Sequence, residues 1–221
     1  LGHVAIPPFD IDFAKGVTYE LWLRLDQFQT WARLLDAGCG TASENILVQL
    51  GSNPGELFWQ IFKGNPAVWT TVLAPNVIEK GVWTHLCLTV DASGVGKIYK
   101  NGQLAASNAM QLPGRVMRAL NYIGKPNWPG DGSLPGRIAE VRMWNYARTQ
   151  EQIRGAMLRR LTGQEEGLCF YYKMDDGAGQ VVRLTDRRAE ERLVTRRAHR
   201  GGAKRRLADP LAMRLAARRV A

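Results

Sequence analysis

Residues 127–133, with the sequence NWPGDGS, combine one indole with several short polar side chains. Aromatic rings contact the apolar C–H faces of sugars, and short polar groups in loops at the rim of a sheet bind their hydroxyls. Trp128 is followed by Pro and Gly, so the packing of a strand constrains it less than the other tryptophans. We therefore expect Asn127, Trp128 and Asp131 to contribute to a ligand-binding rim. The alternative is that the Trp128 ring folds back over the edge of a sheet.

The acidic residues do not show the spacing that glycoside hydrolysis requires. Retaining hydrolases place two carboxylates about 5 Å apart, which on one strand means acids two or four positions apart. Asp175 and Asp176 are adjacent, so a strand would point them to opposite faces. Glu165 and Glu166 fail for the same reason, and Glu20 has no acid two positions away. The sequence therefore predicts a protein that is not an enzyme, and an acid pair assembled from two strands stays open.

The histidines and cysteines show no catalytic or metal-binding motif. The sequence contains no Gly-x-Ser-x-Gly elbow, P-loop, His-Glu-x-x-His or Cys-x-x-Cys. His85 alternates with Cys87 along a predicted strand, and we interpret it as a hydrogen-bonded histidine within a sheet. Cys39, Cys87 and Cys169 are expected to be small buried hydrophobic residues. A disulfide from Cys169 to either of the others is the alternative in an oxidising compartment.

The formal net charge of +10 comes almost entirely from the C-terminal part of the chain. Residues 183–221 contain 13 of the 30 Lys and Arg residues but only 4 of the 20 acidic ones. The preceding part is close to neutral, so we expect no specific binding of nucleic acid. Residues 181–221 are predicted to be an Arg-rich tail, disordered or weakly helical, that could contact acidic surfaces. A shifted reading frame at the 3′ end of the gene is the other interpretation of this composition.

Alternation of apolar and polar residues dominates the chain and predicts strands. In residues 17–25 one face is fully apolar, whereas the other carries Glu20 and Trp22 among polar side chains. Further strands are predicted at residues 45–50, 56–62, 68–73, 81–91, 95–100, 103–106, 121–124, 137–144 and 168–174. Many short strands with regular turns favour a sandwich or a barrel.

Two further features complete the predicted architecture. Thr149 and Gln152 have the spacing of a capping box, which predicts the start of one short amphipathic helix. Trp83 and Trp144 lie among apolar neighbours, so we expect them to fill the core. No apolar stretch is long enough for a membrane helix, and the first residues show no signal-peptide pattern. We therefore expect a processed form or a fragment of a longer protein.

Residues 81–91 (GVWTHLCLTVD), a glycine-bearing turn and residues 97–104 (KIYKNGQL) resemble the central hairpin of the laminin-G-like jelly roll. That domain belongs to the concanavalin A-like lectin/glucanase superfamily. Residues 17–25, 122–125, 134–148 and 167–177 resemble other strands of the same fold, in the same order. The resemblance covers residues 1–180 and implies an all-β, two-sheet antiparallel jelly-roll sandwich with one short helix, followed by the basic tail.

The resemblance also implies a function. We expect a non-catalytic carbohydrate-recognition or adhesion module, part of a larger or exported protein, with a glycan or glycoprotein as its partner. A protein-interaction or structural module without a sugar site is the alternative, and a glycoside hydrolase is a third hypothesis. Many relatives hold calcium, for which Asn127 and Asp131 could supply two of the oxygen ligands. The resemblance places the protein outside the cell or at the cell surface.

Overall fold

The computed structural model describes residues 2–64 and 67–175, and these residues form two antiparallel sheets of six strands each. In chain order the strands are β1 (Val4–Ile6), β2 (Gly16–Leu25), β3 (Arg33–Gly38), β4 (Ile46–Leu50), β5 (Leu57–Lys63), β6 (Val68–Ala74), β7 (Trp83–Asp91), β8 (Val95–Lys100), β9 (Gln103–Ala109), β10 (Leu120–Ile123), β11 (Gly136–Trp144) and β12 (Leu168–Tyr172). The helix α1 (Gln150–Ala156) lies between β11 and β12 in the chain. The front sheet has the order β1-β10-β3-β4-β5-β6, and the back sheet has the order β12-β11-β2-β7-β8-β9. This architecture confirms the predicted sandwich, and no helix in the described ranges is long and apolar enough to cross a membrane.

The two sheets pack through their apolar inner faces. In β2 the predicted apolar face lies in the core, where Val17, Leu21 and Leu25 are fully buried. From the front sheet, Trp59 and Ile61 of β5 are fully buried in the same cluster. Burial of these large apolar side chains is the main driving force for folding. The outer faces of both sheets lie outside this main core and carry the side chains described below.

Two strands, β1 and β3, were not predicted from the alternation. β1 has only three residues, which is too short for a pattern to show. In β3 the pairing register with β4 shifts between Arg33 and Leu35, which marks a bulge. Leu34 and Leu35 are therefore both buried although they are adjacent in the sequence. A bulge of this kind breaks the alternation on which the prediction depends.

The helix confirms the predicted capping box. The Thr149 hydroxyl accepts a hydrogen bond from the Gln152 backbone N–H, and the Gln152 side chain accepts one from the Thr149 N–H. Ile153 is fully buried and packs with Cys87 and Tyr99. The indole N–H of Trp22 on β2 donates to the carbonyl of residue 157, just after the helix, at 3.0 Å. The helix therefore covers part of the outer face of the back sheet.

Neither of the two predicted core tryptophans lies in the main core, and only Trp144 is buried. Trp83 begins β7 opposite Arg24 of β2, and 43% of its surface is exposed. Trp144 is buried, but it packs with Leu168 and Tyr171 in a separate cluster rather than in the main core. The prediction for Trp83 was wrong because the inner face of β7 starts one residue later.

The outer face of the back sheet buries a group of charged and polar side chains. The Glu20 carboxylate accepts hydrogen bonds from Arg142 at 3.1 Å and from Arg148 at 3.0 Å. His85 is buried beside them, and neither ring nitrogen has a hydrogen-bond partner among the described residues. The interpretation of His85 as a hydrogen-bonded histidine was therefore wrong. Burial, together with the charges of Arg142 and Arg148, lowers the pKa of His85 to about 3.

The cysteine prediction holds only in part. Cys87 is fully buried and Cys169 is half-buried, whereas Cys39 is exposed at the end of β3. All three lie in the described part of the chain, and no disulfide joins any two of them. The predictions for Asp176 and for the tail at residues 181–221 lie outside the described residues.

Candidate functional site

The predicted loop, residues 127–133, is anchored on the front sheet through Asn127. The backbone N–H and the side-chain amide of Asn127 donate to the two carboxylate oxygens of Asp36, each at 2.8 Å. The carbonyl of Asn127 accepts a hydrogen bond from the Thr41 hydroxyl at 2.9 Å. Asp36 lies on β3 and is fully buried. Burial raises the pKa of the Asp36 carboxyl, while hydrogen bonds from Asn127 and Asn45 and the charge of Arg33 lower it.

A buried guanidinium holds the other end of this loop. Arg33 Nη2 donates to the Asp131 carboxylate at 2.6 Å, and its Nε lies 3.5 Å from Asp36. Its Nη1 donates to the carbonyl of Trp31 at 2.6 Å and also to the side-chain oxygen of Gln49. Only 3% of the Arg33 side chain is exposed. One cation therefore ties Asp131 of the loop to the sheet.

Trp128 folds back over the outer face of the front sheet. Its ring lies 5.4 Å from that of Phe62, and the Arg33 guanidinium carbon lies 5.0 Å from its centroid. Phe62 stacks in turn on Trp69, with ring centroids 5.6 Å apart and planes 21° apart. Trp69 is 58% exposed. These three rings form an aromatic platform at one end of the face.

Neutral polar side chains cross the strands beside this platform. The Gln49 amide donates to the Gln60 oxygen at 2.9 Å, and the Gln60 amide donates to the Thr71 hydroxyl at 3.0 Å. The register pairs Gln60 with Thr71 across β5 and β6. Gln60 and Thr71 are half-buried, so their remaining hydrogen-bonding capacity faces solvent. We call this outer surface of the front sheet the front face; it is formed by Arg33, Asp36, Gln49, Phe58, Gln60, Phe62, Trp69, Thr71 and the overlying Trp128.

The loop borders an open depression of about 430 Å³ on the rim of the front face. Its walls include the predicted residues Asn127, Trp128 and Asp131, together with Tyr122, Lys125 and Ser133. The structure thus brings the three predicted residues together, and their role in ligand binding stays a prediction. Their contacts also show the alternative that the sequence left open, because the Trp128 ring does pack on the sheet.

The carboxylates near the front face are not arranged for hydrolysis. Asp36 is fully buried, so it cannot reach a glycosidic oxygen. Asp131 is engaged by the same guanidinium that lies beside Asp36. A hydrolase needs one free nucleophile or base and one free acid. These two acids instead serve as counter-ions of Arg33.

The contacts of Asn127 and Asp131 also affect whether these two residues could bind calcium. Calcium requires six to eight oxygen ligands, several of them from carboxylates. Asp131 already pairs with a guanidinium, and the Asn127 amide is directed at Asp36. Within the described residues, no three His, Cys, Asp or Glu side chains cluster as metal ligands would. Calcium binding at Asn127 and Asp131 stays a prediction, and the position of Arg33 argues against it.

The sequence was compared with protein-family models. The laminin G model described as the concanavalin A-like lectin/glucanases superfamily matches residues 2–154. The chain belongs to this superfamily. The match includes strands β1 to β11 and the first part of α1 but not β12. It confirms the resemblance seen in the central hairpin. No curated protein matches the chain.

Solved structures share the superfamily fold. A protein from Bacteroides ovatus, described as a candidate carbohydrate-binding protein, is 24% identical with a TM-score of 0.61. The match covers 82% of this chain and 53% of that protein, so this chain spans about half of its length. Domain 4 of a GH43 extracellular arabinanase from Geobacillus stearothermophilus, solved with arabinotriose, is 23% identical with a TM-score of 0.54, covering 69% of this chain and 71% of that one. The CBM40 of a Ruminococcus gnavus IT-sialidase, bound to α2,3-sialyllactose, is 14% identical with a TM-score of 0.50, covering 69% of this chain and 97% of that one.

Proposed function

We propose that this protein is a non-catalytic carbohydrate-binding module that binds a glycan on its front face. The observation that carries the proposal is the platform of Trp128, Phe62 and Trp69 beside the neutral pair Gln60 and Thr71. Aromatic faces contact the C–H surfaces of sugars, while amides and hydroxyls bind sugar hydroxyls. Proteins of similar fold that were solved with bound sugars support this assignment.

The absence of catalysis is part of the proposal. On the front face Asp36 is buried, and Asp131 is neutralised by Arg33. On the back sheet Glu20 is buried between two arginines. A module that binds without cutting usually serves a larger protein, so we also propose that the chain acts outside the cell or at its surface, where polysaccharides and glycoproteins occur.

The test is a glycan array probed with the wild-type protein and two variants. Trp69→Ala removes an exposed ring of the platform, and Trp83→Ala removes an equally large exposed ring from the back sheet. We expect Trp69→Ala to weaken binding about tenfold, the order of one aromatic contact, and Trp83→Ala to leave it unchanged. Trp128→Ala should abolish binding, and its melting temperature must be checked because Trp128 also packs on Phe62.

Two results would refute the proposal. The first is a wild-type protein that binds no glycan, which would favour the alternative of a protein-interaction module. In that case the exposed Val68, Trp69 and Leu73 of β6 become the contact surface to examine. The second is release of reducing ends from a polysaccharide by the wild-type protein, which would show that the module is catalytic.

A further inference from the structure

A second aromatic pair, Trp31 and Phe58, lies on the front face and shares no ring with the platform of Trp128, Phe62 and Trp69. Trp31 is 38% exposed, and its ring lies 5.8 Å from that of Phe58 on β5. Its backbone φ is 62°, in the left-handed region that bulky residues rarely adopt. Arg33 fixes this conformation by donating to the Trp31 carbonyl. A strained backbone that presents a large ring to solvent is a feature typical of binding sites.

The two aromatic pairs lie on one face of the same sheet. Phe58 and Phe62 alternate with Trp59 and Ile61, which are in the core, so both phenylalanines point outward. Four residues of extended strand separate them, a distance of about 13 Å. Gln60 lies midway between them and is bonded to Thr71. Neutral hydrogen-bonding groups therefore separate two aromatic surfaces.

We propose that Trp31 and Phe58 form a second sugar subsite, so that the ligand of the front face is a linear oligosaccharide running along β5. This inference rests on the proposed function and specifies its ligand class. A single sugar ring cannot contact both aromatic pairs, whereas a short chain covers both and places its central hydroxyls over Gln60 and Thr71. A module for a single terminal sugar would gain nothing from holding Trp31 in a strained, exposed position.

The experiment measures affinity against chain length by isothermal titration calorimetry. The probes are arabinan, xylan, mannan and β-glucan fragments from mono- to hexasaccharides, tested on the wild-type protein, Trp31→Gly and Trp83→Ala. Glycine adopts a positive φ without strain, so Trp31→Gly removes the ring while keeping the fold. Trp83→Ala is the matched control, because it removes an exposed ring from the other sheet.

We expect the wild-type affinity to rise with chain length and then to level off once a fragment reaches both aromatic pairs. Trp31→Gly should bind the longest fragments about tenfold more weakly and the shortest fragments unchanged, so that the dependence on length is lost. Trp83→Ala should behave like the wild type. If short and long fragments bind the wild type equally, or if Trp31→Gly keeps the dependence on length, the second subsite is wrong and the proposed function stands. If no fragment binds the wild type although a glycan of the array does, the linear oligosaccharide is wrong and the proposed function stands; if neither fragments nor array glycans bind, the proposed function itself fails.

Discussion

Replacing Arg33 by methionine should destabilise the fold strongly, although the residue lies at the proposed binding face. The Arg33 side chain is 3% exposed and lies between the carboxylates of Asp36, which is fully buried, and Asp131. Methionine has a similar length but no charge, so Asp36 would remain buried without its counter-ion. Breaking a buried ion pair by removing one partner destabilises a protein by about 3–5 kcal/mol. We expect a loss in this range at pH 7.

The pH dependence of this loss distinguishes a charge effect from lost packing. Burial raises the pKa of Asp36, and the charge of Arg33 opposes that rise; in Arg33→Met the folded-state pKa should rise further. A raised folded-state pKa makes stability fall as pH rises. Below about pH 4 the carboxyl is neutral in both folded and unfolded chains, so the charge penalty vanishes there. The difference between wild type and variant should therefore be smaller at pH 4 than at pH 7.

Urea unfolding at these two pH values provides the measurement. Arg33→Met combined with Asp36→Asn removes both charges and should recover part of the loss, since the remaining amide oxygen still accepts a hydrogen bond from Asn127. Arg137→Met is the surface control, because Arg137 is 69% exposed and lies 4.0 Å from Asp26. Such exposed pairs contribute about 0–1 kcal/mol. A loss below about 1 kcal/mol for Arg33→Met, or an equal loss at both pH values, would refute the reasoning.

Two other predictions follow from buried or paired charges. The pKa of His85 is lowered to about 3, so the unfolded chain takes up a proton near pH 6.5 while the folded chain does not; the wild type should lose about 2 kcal/mol between pH 7 and pH 5 from this group. His85→Leu should remove that part of the slope in urea unfolding, and equal slopes in both proteins would contradict it. Because Arg33 already neutralises Asp131, EDTA should leave the melting temperature unchanged and calcium should give no heat of binding; a calcium-dependent rise in melting temperature would instead support an ion at Asn127 and Asp131.

The fold could be predicted because strand alternation and turn residues show directly in the sequence. Asn101 and Gly102 have positive φ values of 50° and 74°, as a tight hairpin turn requires. The same alternation, followed along β7, places Trp83 on the outer face of the sheet. It lies in phase with His85 and Cys87 and out of phase with Leu86, which is in the core. The error came from treating a large apolar residue as a core residue without following its phase along the strand.

The site could be predicted only in its loop. The composition of residues 127–133 shows an indole beside polar groups, and the structure brings Asn127, Trp128 and Asp131 together around one depression, while their role in binding stays a prediction. The contribution of the sheet depends on which residues face each other across strands, such as Gln60 and Thr71 or Phe62 and Trp69. Register between strands is not visible in one sequence. Arg33 was missed for the same reason, because it stands beside a bulge and its contacts with Gln49, Trp128 and Asp131 join residues far apart in the chain.

The contacts of Arg33 preorganise the front face for the proposed ligand. One guanidinium contacts the carbonyl of Trp31, the carboxylate of Asp131 and the ring of Trp128. The two aromatic surfaces are therefore held by the same buried cation rather than by independent loops. A binding surface that is ordered in advance loses less conformational entropy on association. This advantage matters most for the proposed binding of a glycan to a shallow face, where each contact is weak, because Arg33 ties the loop to the sheet without a ligand.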